Sequence, residues 1–125
     1  MRESLLRMKS RDFAIRIIKL YKLLREERQE YVMAKQMLRS GTSIGANISE
    51  GIYAESRSDL IHKYAIAQKE CSETCYWLDL LHSTEFMTTK EFQSMNADCV
   101  ELIKILTAAI ITLKKSPPII PIPNP

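Results

Sequence analysis

Apolar residues along this chain return at helical rather than strand spacing, in four successive segments. Over residues 10–28, Phe13, Ile17, Leu20, Tyr21 and Leu24 recur every three or four positions, which places them on one helical face. Ser10 is the expected N-cap, since its hydroxyl can accept from the open amides of a first turn. Over residues 30–50 the pattern repeats with Ala34, Met37, Leu38, Gly41, Ile44, Gly45 and Ile48, and Gly51 is placed to stop that helix. A third helix is expected over residues 57–84, capped by Ser56 or Ser58, with Leu60, Tyr64, Ala67, Cys71, Cys75 and Leu78 on its stripe. The fourth, residues 89–115, opens on the capping-box pattern Thr88-Thr89-Lys90-Glu91. It carries Phe92, Met95, Cys99, Leu102, Ile103, Leu106, Ile110 and Leu113, and ends with Lys114 and Lys115 against the negative end of its dipole.

Four helices joined by short connections bury four stripes by packing side by side, so the expected fold is all-α, an antiparallel up-down four-helix bundle spanning residues 1–115. The distribution of proline agrees. All five prolines fall in Pro117-Pro118-Ile119-Ile120-Pro121-Ile122-Pro123-Asn124-Pro125, so no helix breaker precedes Ser116 and residues 116–125 are expected to form an extended Pro-rich tail.

Composition narrows the setting. At 125 residues the chain fits one domain, and 46% hydrophobic residues supply a core. The start, Met1-Arg2-Glu3-Ser4-Leu5-Leu6-Arg7, lacks the apolar run of a secretory signal, and no stretch is long and apolar enough to span a bilayer. A cytoplasmic protein with no membrane contact is expected. Cys71, Cys75 and Cys99 are an odd number in such a chain and are read as buried thiols rather than a disulfide framework.

The candidate chemistry is sparse, and no enzymatic activity, metal or other cofactor is expected. The nearest approach to a dinuclear carboxylate site is Asp59-x-x-His62 with Asp79-x-x-His82, but twenty residues of one helix separate the two by about 30 Å. Cys71 and Cys75, at i and i+4, supply half a thiolate zinc site with only Cys99 to add, so core packing is the better reading. The glycine-bearing run from Gly41 to Gly51 lacks the Gly-Lys-Ser/Thr ending of a phosphate loop and follows no strand. Gly41, Gly45 and Ser49, spaced by four, instead make a ridge that another helix can approach closely.

Charge gives a more specific signal. Eleven of the eighteen basic residues lie in the first thirty-nine positions against five acids, so that third carries net +6 and the remainder net −3. Arg11, Arg16, Lys19, Lys22 and Arg25 occupy the arc opposite Phe13, Ile17 and Leu20, and Lys35 with Arg39 adds a basic pair on the second helix. These seven are candidate contacts for the phosphates of RNA or DNA; the plain alternative is a solvated basic surface. On the third helix, Ile66, Trp77, Leu80 and Leu81 lie off the main stripe and form a second apolar strip, a candidate interface for self-association unless Ile119, Ile120 and Ile122 of the tail fold back over it. Another protein is a further candidate partner, through the basic face or through Pro118-Ile119-Ile120-Pro121.

The run Leu38-Arg39-Ser40-Gly41-Thr42-Ser43-Ile44-Gly45-Ala46-Asn47-Ile48-Ser49-Glu50-Gly51 resembles the signature of the bacterial 23S rRNA intervening-sequence proteins. Residues 54–81, with Ser56, Asp59, His62-Lys63, Ala67, Lys69-Glu70 and Tyr76-Trp77-Leu78, are similar to the same family. The resemblance implies a four-helix bundle that assembles as a ring-like homo-oligomer, expected as a pentamer, with no catalytic residues. A related protein type, the accessory variability determinant of diversity-generating retroelements, is a basic pentamer that binds nucleic acid. Many relatives have proline where this chain has Gly45, which implies a straighter second helix here.

Overall fold

The computed structural model describes residues 2–115, and the expected tail, residues 116–125, lies outside them. Among the described residues the elements are four α-helices and no strand: α1 Arg2–Glu26, α2 Val32–Gly51, α3 Arg57–Ser83 and α4 Thr89–Lys115. No helix among them is long and apolar enough to cross a membrane.

α1 begins well before Ser10. Leu6 precedes Ser10 by one turn on the same stripe and is fully buried, so the helix runs through Ser10, which is itself buried and turns its hydroxyl back to the Arg7 carbonyl. Ser10 is therefore a mid-helix packing residue and not a cap. Burial of Leu6 outweighs the capping preference of a serine. The other chain-start signals fared differently. At α3, Ser56 accepts from the Asp59 amide at 3.0 Å. At α4, the Thr88 hydroxyl accepts from the Glu91 amide at 3.1 Å while the Glu91 carboxylate accepts from the Thr88 amide at 2.9 Å, the reciprocal pair of a capping box. α2 starts two residues later than its pattern suggests. Glu30 stays outside the helix, and its buried carboxylate accepts from the Met33 and Ala34 amides at 3.1 and 2.7 Å, compensating first-turn donors that Tyr31 does not cap.

Each helix touches its sequence neighbours and α1 also touches α4, leaving α1 and α3 diagonally opposed. Contacts between touching helices pair rising numbers on one with falling numbers on the other: Ile17 with Gly41 and Ser10 with Gly45, Ser40 with Thr74 and Glu50 with Lys63, Gln68 with Thr107 and His82 with Thr89. Phe13, Ile17, Leu24, Met37, Ile44, Leu78, Leu81, Leu102 and Leu106 fill the centre. The buried polar pair Ser40 and Thr74 is satisfied internally, with the Thr74 hydroxyl 2.9 Å from that of Ser40.

The glycines of α2 mark close approaches. A Cβ on Gly41 would lie 2.8 and 2.9 Å from the two γ carbons of the buried Ile17. One on Gly45 would meet Ser10 only at 3.4 Å. Gly51 is not a left-handed stop: no glycine among the described residues has positive φ, and its hydrogen faces Leu60, 2.9 Å from where a Cβ would sit. Substituting alanine separates these cases. Gly41→Ala should lose about 1–2 kcal/mol, because overpacking exceeds the roughly 1 kcal/mol gained in helix propensity. Gly45→Ala should be neutral or gain up to about 1 kcal/mol. Urea unfolding midpoints check both, and equal losses would contradict the fit described.

Candidate nucleic-acid interface

The outer arc of α1 is set by its inner one. With Leu6, Phe13, Ile17, Leu20 and Leu24 turned inward, Arg11, Lys19, Lys22 and Arg25 are driven to solvent, and Lys35 is exposed on the first turns of α2. These five make no ion pair among the described residues. From Arg11 to Arg25 the run covers about 21 Å of helix.

The other two candidates are committed elsewhere. Arg16 lies in the seam between α1 and α4, where it pairs with Asp98 and donates to the Ser94 hydroxyl at 2.7 Å. Arg39 reaches across to α3, pairing with Glu70 at 3.2 Å and with Glu73. Hydrogen bonding to Glu73 raises the Arg39 pKa, and the Trp77 indole and then Arg39 lower that of Glu73. Both arginines tie helices together. Sequence periodicity placed them on the outward arc but could not say that acids of distant helices would stand beside them.

Two isoleucines interrupt the basic arc. Ile15 and Ile18 are 36% and 39% exposed, between Arg11 and Lys22. The wheel that puts Phe13 and Ile17 inside already puts these two outside, so the signal was present in the sequence.

On α3, Ile66 and Leu80 are partly exposed, and Trp77 is partly buried with its indole nitrogen donating to Glu73 at 3.0 Å. Tyr76, 55% exposed, sets its ring edge-on to Trp77 at 5.1 Å. Leu81 does not belong to this strip: it is fully buried in the core. Its position one turn beyond Leu78 on the inner face explains the correction.

The three cysteines serve packing. Cys71 and Cys99 are buried and Cys75 is partly so, all as free thiols, with the Cys99 thiol donating to the Cys71 carbonyl at 3.2 Å. Hydrogen bonding to Cys99, then burial, raises the Cys75 pKa, and contact with Cys71 leads the rise at Cys99, so neither thiol ionises readily. His62 is exposed; His82 meets the Thr89 hydroxyl at 3.1 Å and stacks on Phe92. At the end of the bundle, a cavity of about 540 Å³ is lined by Ile48, Gly51, Leu60, Tyr64 and Leu113, with Arg7 and Arg57 at its polar side.

The sequence pattern of the family described as 23S rRNA-intervening sequence protein matches residues 2–108. A comparison with curated protein sequences finds no match. Among solved structures, a Bacteroides thetaiotaomicron protein, described as of unknown function and from the S23 ribosomal protein family, is 50% identical with a TM-score of 0.88. The match covers 89% of this chain and 99% of that one.

Proposed function

Since the chain belongs to the 23S rRNA-intervening sequence protein family, we propose that it is a non-enzymatic, antiparallel up-down four-helix bundle that self-associates and holds the phosphate backbone of RNA or DNA. The observation that carries this reading is the exposed run Arg11, Lys19, Lys22 and Arg25 with Lys35 beside it, free of ion pairs among the described residues. Its length of about 21 Å spans roughly six phosphates of one strand. Membership of a family described by an rRNA-intervening sequence, with a solved relative from the S23 ribosomal protein family, is consistent with such a ligand. Recognition of this kind reads charge rather than sequence. Ring assembly, as a pentamer, would multiply the field of each basic run.

With about five phosphates neutralised per protomer, affinity for labelled RNA or duplex DNA should fall roughly 10²–10³-fold between 50 and 200 mM salt. Lys19→Glu, Lys22→Glu and Arg25→Glu together should abolish the binding seen by fluorescence anisotropy. Salt-independent binding, or full affinity in the triple variant, would refute the phosphate reading.

The exposed Ile15 and Ile18 favour a second reading, a protein-interaction scaffold, because a phosphate backbone gains nothing from isoleucine. Deleting residues 116–125 distinguishes the tail-docking form of that reading: loss of a protein partner supports it, and unchanged nucleic-acid binding supports the first.

A further inference from the structure

The two ends of the bundle are closed differently. At one end two connections cross, residues 27–31 between α1 and α2 and residues 84–88 between α3 and α4, and the second of these puts Met87 into the core with Phe86 packed against it. At the other end, among the described residues, a single connection crosses, residues 52–56 between α2 and α3. The cavity of about 540 Å³ lies at this less covered end. Ile48, Ile52, Leu60, Tyr64 and Leu113 make its apolar wall, and Ile52 is 51% exposed.

The sequence that follows α4 suits that space. Leu113 lines the cavity, and Ile119, Ile120 and Ile122 come four, five and seven residues after Lys115. At about 3.1 Å per residue for a proline-rich chain, Ile119 can reach about 12 Å and Ile122 about 22 Å from Lys115. Residues 116–125 hold no charged side chain, and the four prolines within residues 117–123 leave only three backbone N–H groups to satisfy in an apolar setting. Proline also restricts the chain beforehand, so docking forfeits less conformational entropy.

The apolar strip of α3 is too distant to serve instead. Gln68 bonds Thr107 and His82 meets Thr89, so α3 and α4 run in opposite senses and Lys115 stands near the height of Leu60. Trp77 and Leu80 lie about 25 and 30 Å further along α3 at about 1.5 Å per residue. Even Ile122 falls short of them.

We propose that the cavity is the seat of this chain's own residues 117–122, with Ile119 and Ile120 against Leu60, Tyr64 and Leu113. The segment closes this end of the bundle as the α3–α4 connection helps to close the other. Its tether, so close to the cavity, gives it an effective concentration on the order of millimolar, an advantage no free apolar ligand shares. The proposal does not depend on the phosphate reading. It bears on the scaffold reading, since Pro118-Ile119-Ile120-Pro121 seated in the bundle is not presented to another protein.

The test uses the full chain with isoleucine and leucine methyl groups labelled for nuclear magnetic resonance. Methyl cross-peaks should join Ile119 and Ile120 to Leu60 and Leu113, and a one-to-one mixture of labelled and unlabelled chains should show that they arise within one chain. A full-length variant carrying Ile119→Ser, Ile120→Ser and Ile122→Ser should keep its helical circular dichroism and lose those cross-peaks. The apolar dye 1-anilinonaphthalene-8-sulfonate, weakly fluorescent with the parent, should brighten several-fold with the variant as the cavity opens. Four results would overturn the proposal: tail methyls without contacts on the bundle, contacts to Trp77 or Leu80 in place of Leu60 and Leu113, cross-peaks only between different chains, or equal dye fluorescence in parent and variant. The third would give the cavity to the tail of a second copy, and the first would leave the tail to another protein.

Discussion

Truncating Phe13 to alanine should lower stability by about 3–5 kcal/mol, while Ile15→Ala two positions along the same helix should cost less than about 1 kcal/mol. Phe13 is 1% exposed, among the largest fully buried side chains, whereas Ile15 is 36% exposed. Removing a ring from a packed interior forfeits its transfer free energy and leaves a cavity that the neighbours fill only in part. Ile15 leaves no such void. Chemical denaturation of each variant measures the difference. Similar losses at both positions would mean that α1 is rotated from the orientation described.

Glu91→Ala should cost about 2 kcal/mol at neutral pH, from a capping contact and an ion pair each worth about 1 kcal/mol. Arg28 donates to both carboxylate oxygens at 2.8 Å, and the Thr88 amide donates to one of them at 2.9 Å. The Arg28 guanidinium, and then the Thr88 amide, hold the Glu91 carboxyl down at about 2, against an ordinary value of 4.5. A carboxyl with a lowered folded-state pKa stabilises fully above its unfolded value and loses that contribution as pH falls through the folded one. The gap between wild type and Glu91→Ala should thus be constant above about pH 5 and shrink as pH falls from about 4.5 toward 2. Parallel urea titrations of the two proteins across that range cancel the other carboxylates. A gap unchanged down to pH 2 would rule out the bidentate pair as its source.

The capping residues Ser56, Thr88 and Glu91 were legible in the sequence because a cap is a contact within four residues, and α4 lies where its pattern put it. Ser10 was misread because the same hydroxyl can cap a helix or fold back into one, and the choice depended on whether Leu6 found a core to enter. Gly51 does end α2 where the pattern put the stop, but without a left-handed turn: the nearby Leu60 side chain makes it a site of close approach. At the candidate interface, the exposed positions Arg11, Lys19, Lys22, Arg25 and Lys35 followed from the wheel. The fate of Arg16 and Arg39 did not, since Asp98, Glu70 and Glu73 lie more than thirty residues away along the chain.

The sequence by itself determined that this protein is four helices, where most of them begin and end, which family it belongs to, and that its positive charge gathers on α1 and the start of α2. Those are properties of period, local hydrogen bonding and composition, which short stretches of chain carry on their own. Only the tertiary structure decided which cations are already paired, that Leu81 is core while Tyr76 is surface, and that α1 touches α2 and α4 but not α3. Each of these depends on which helices become neighbours and at what height, and a period along one helix carries no information about the residue that will face it from another.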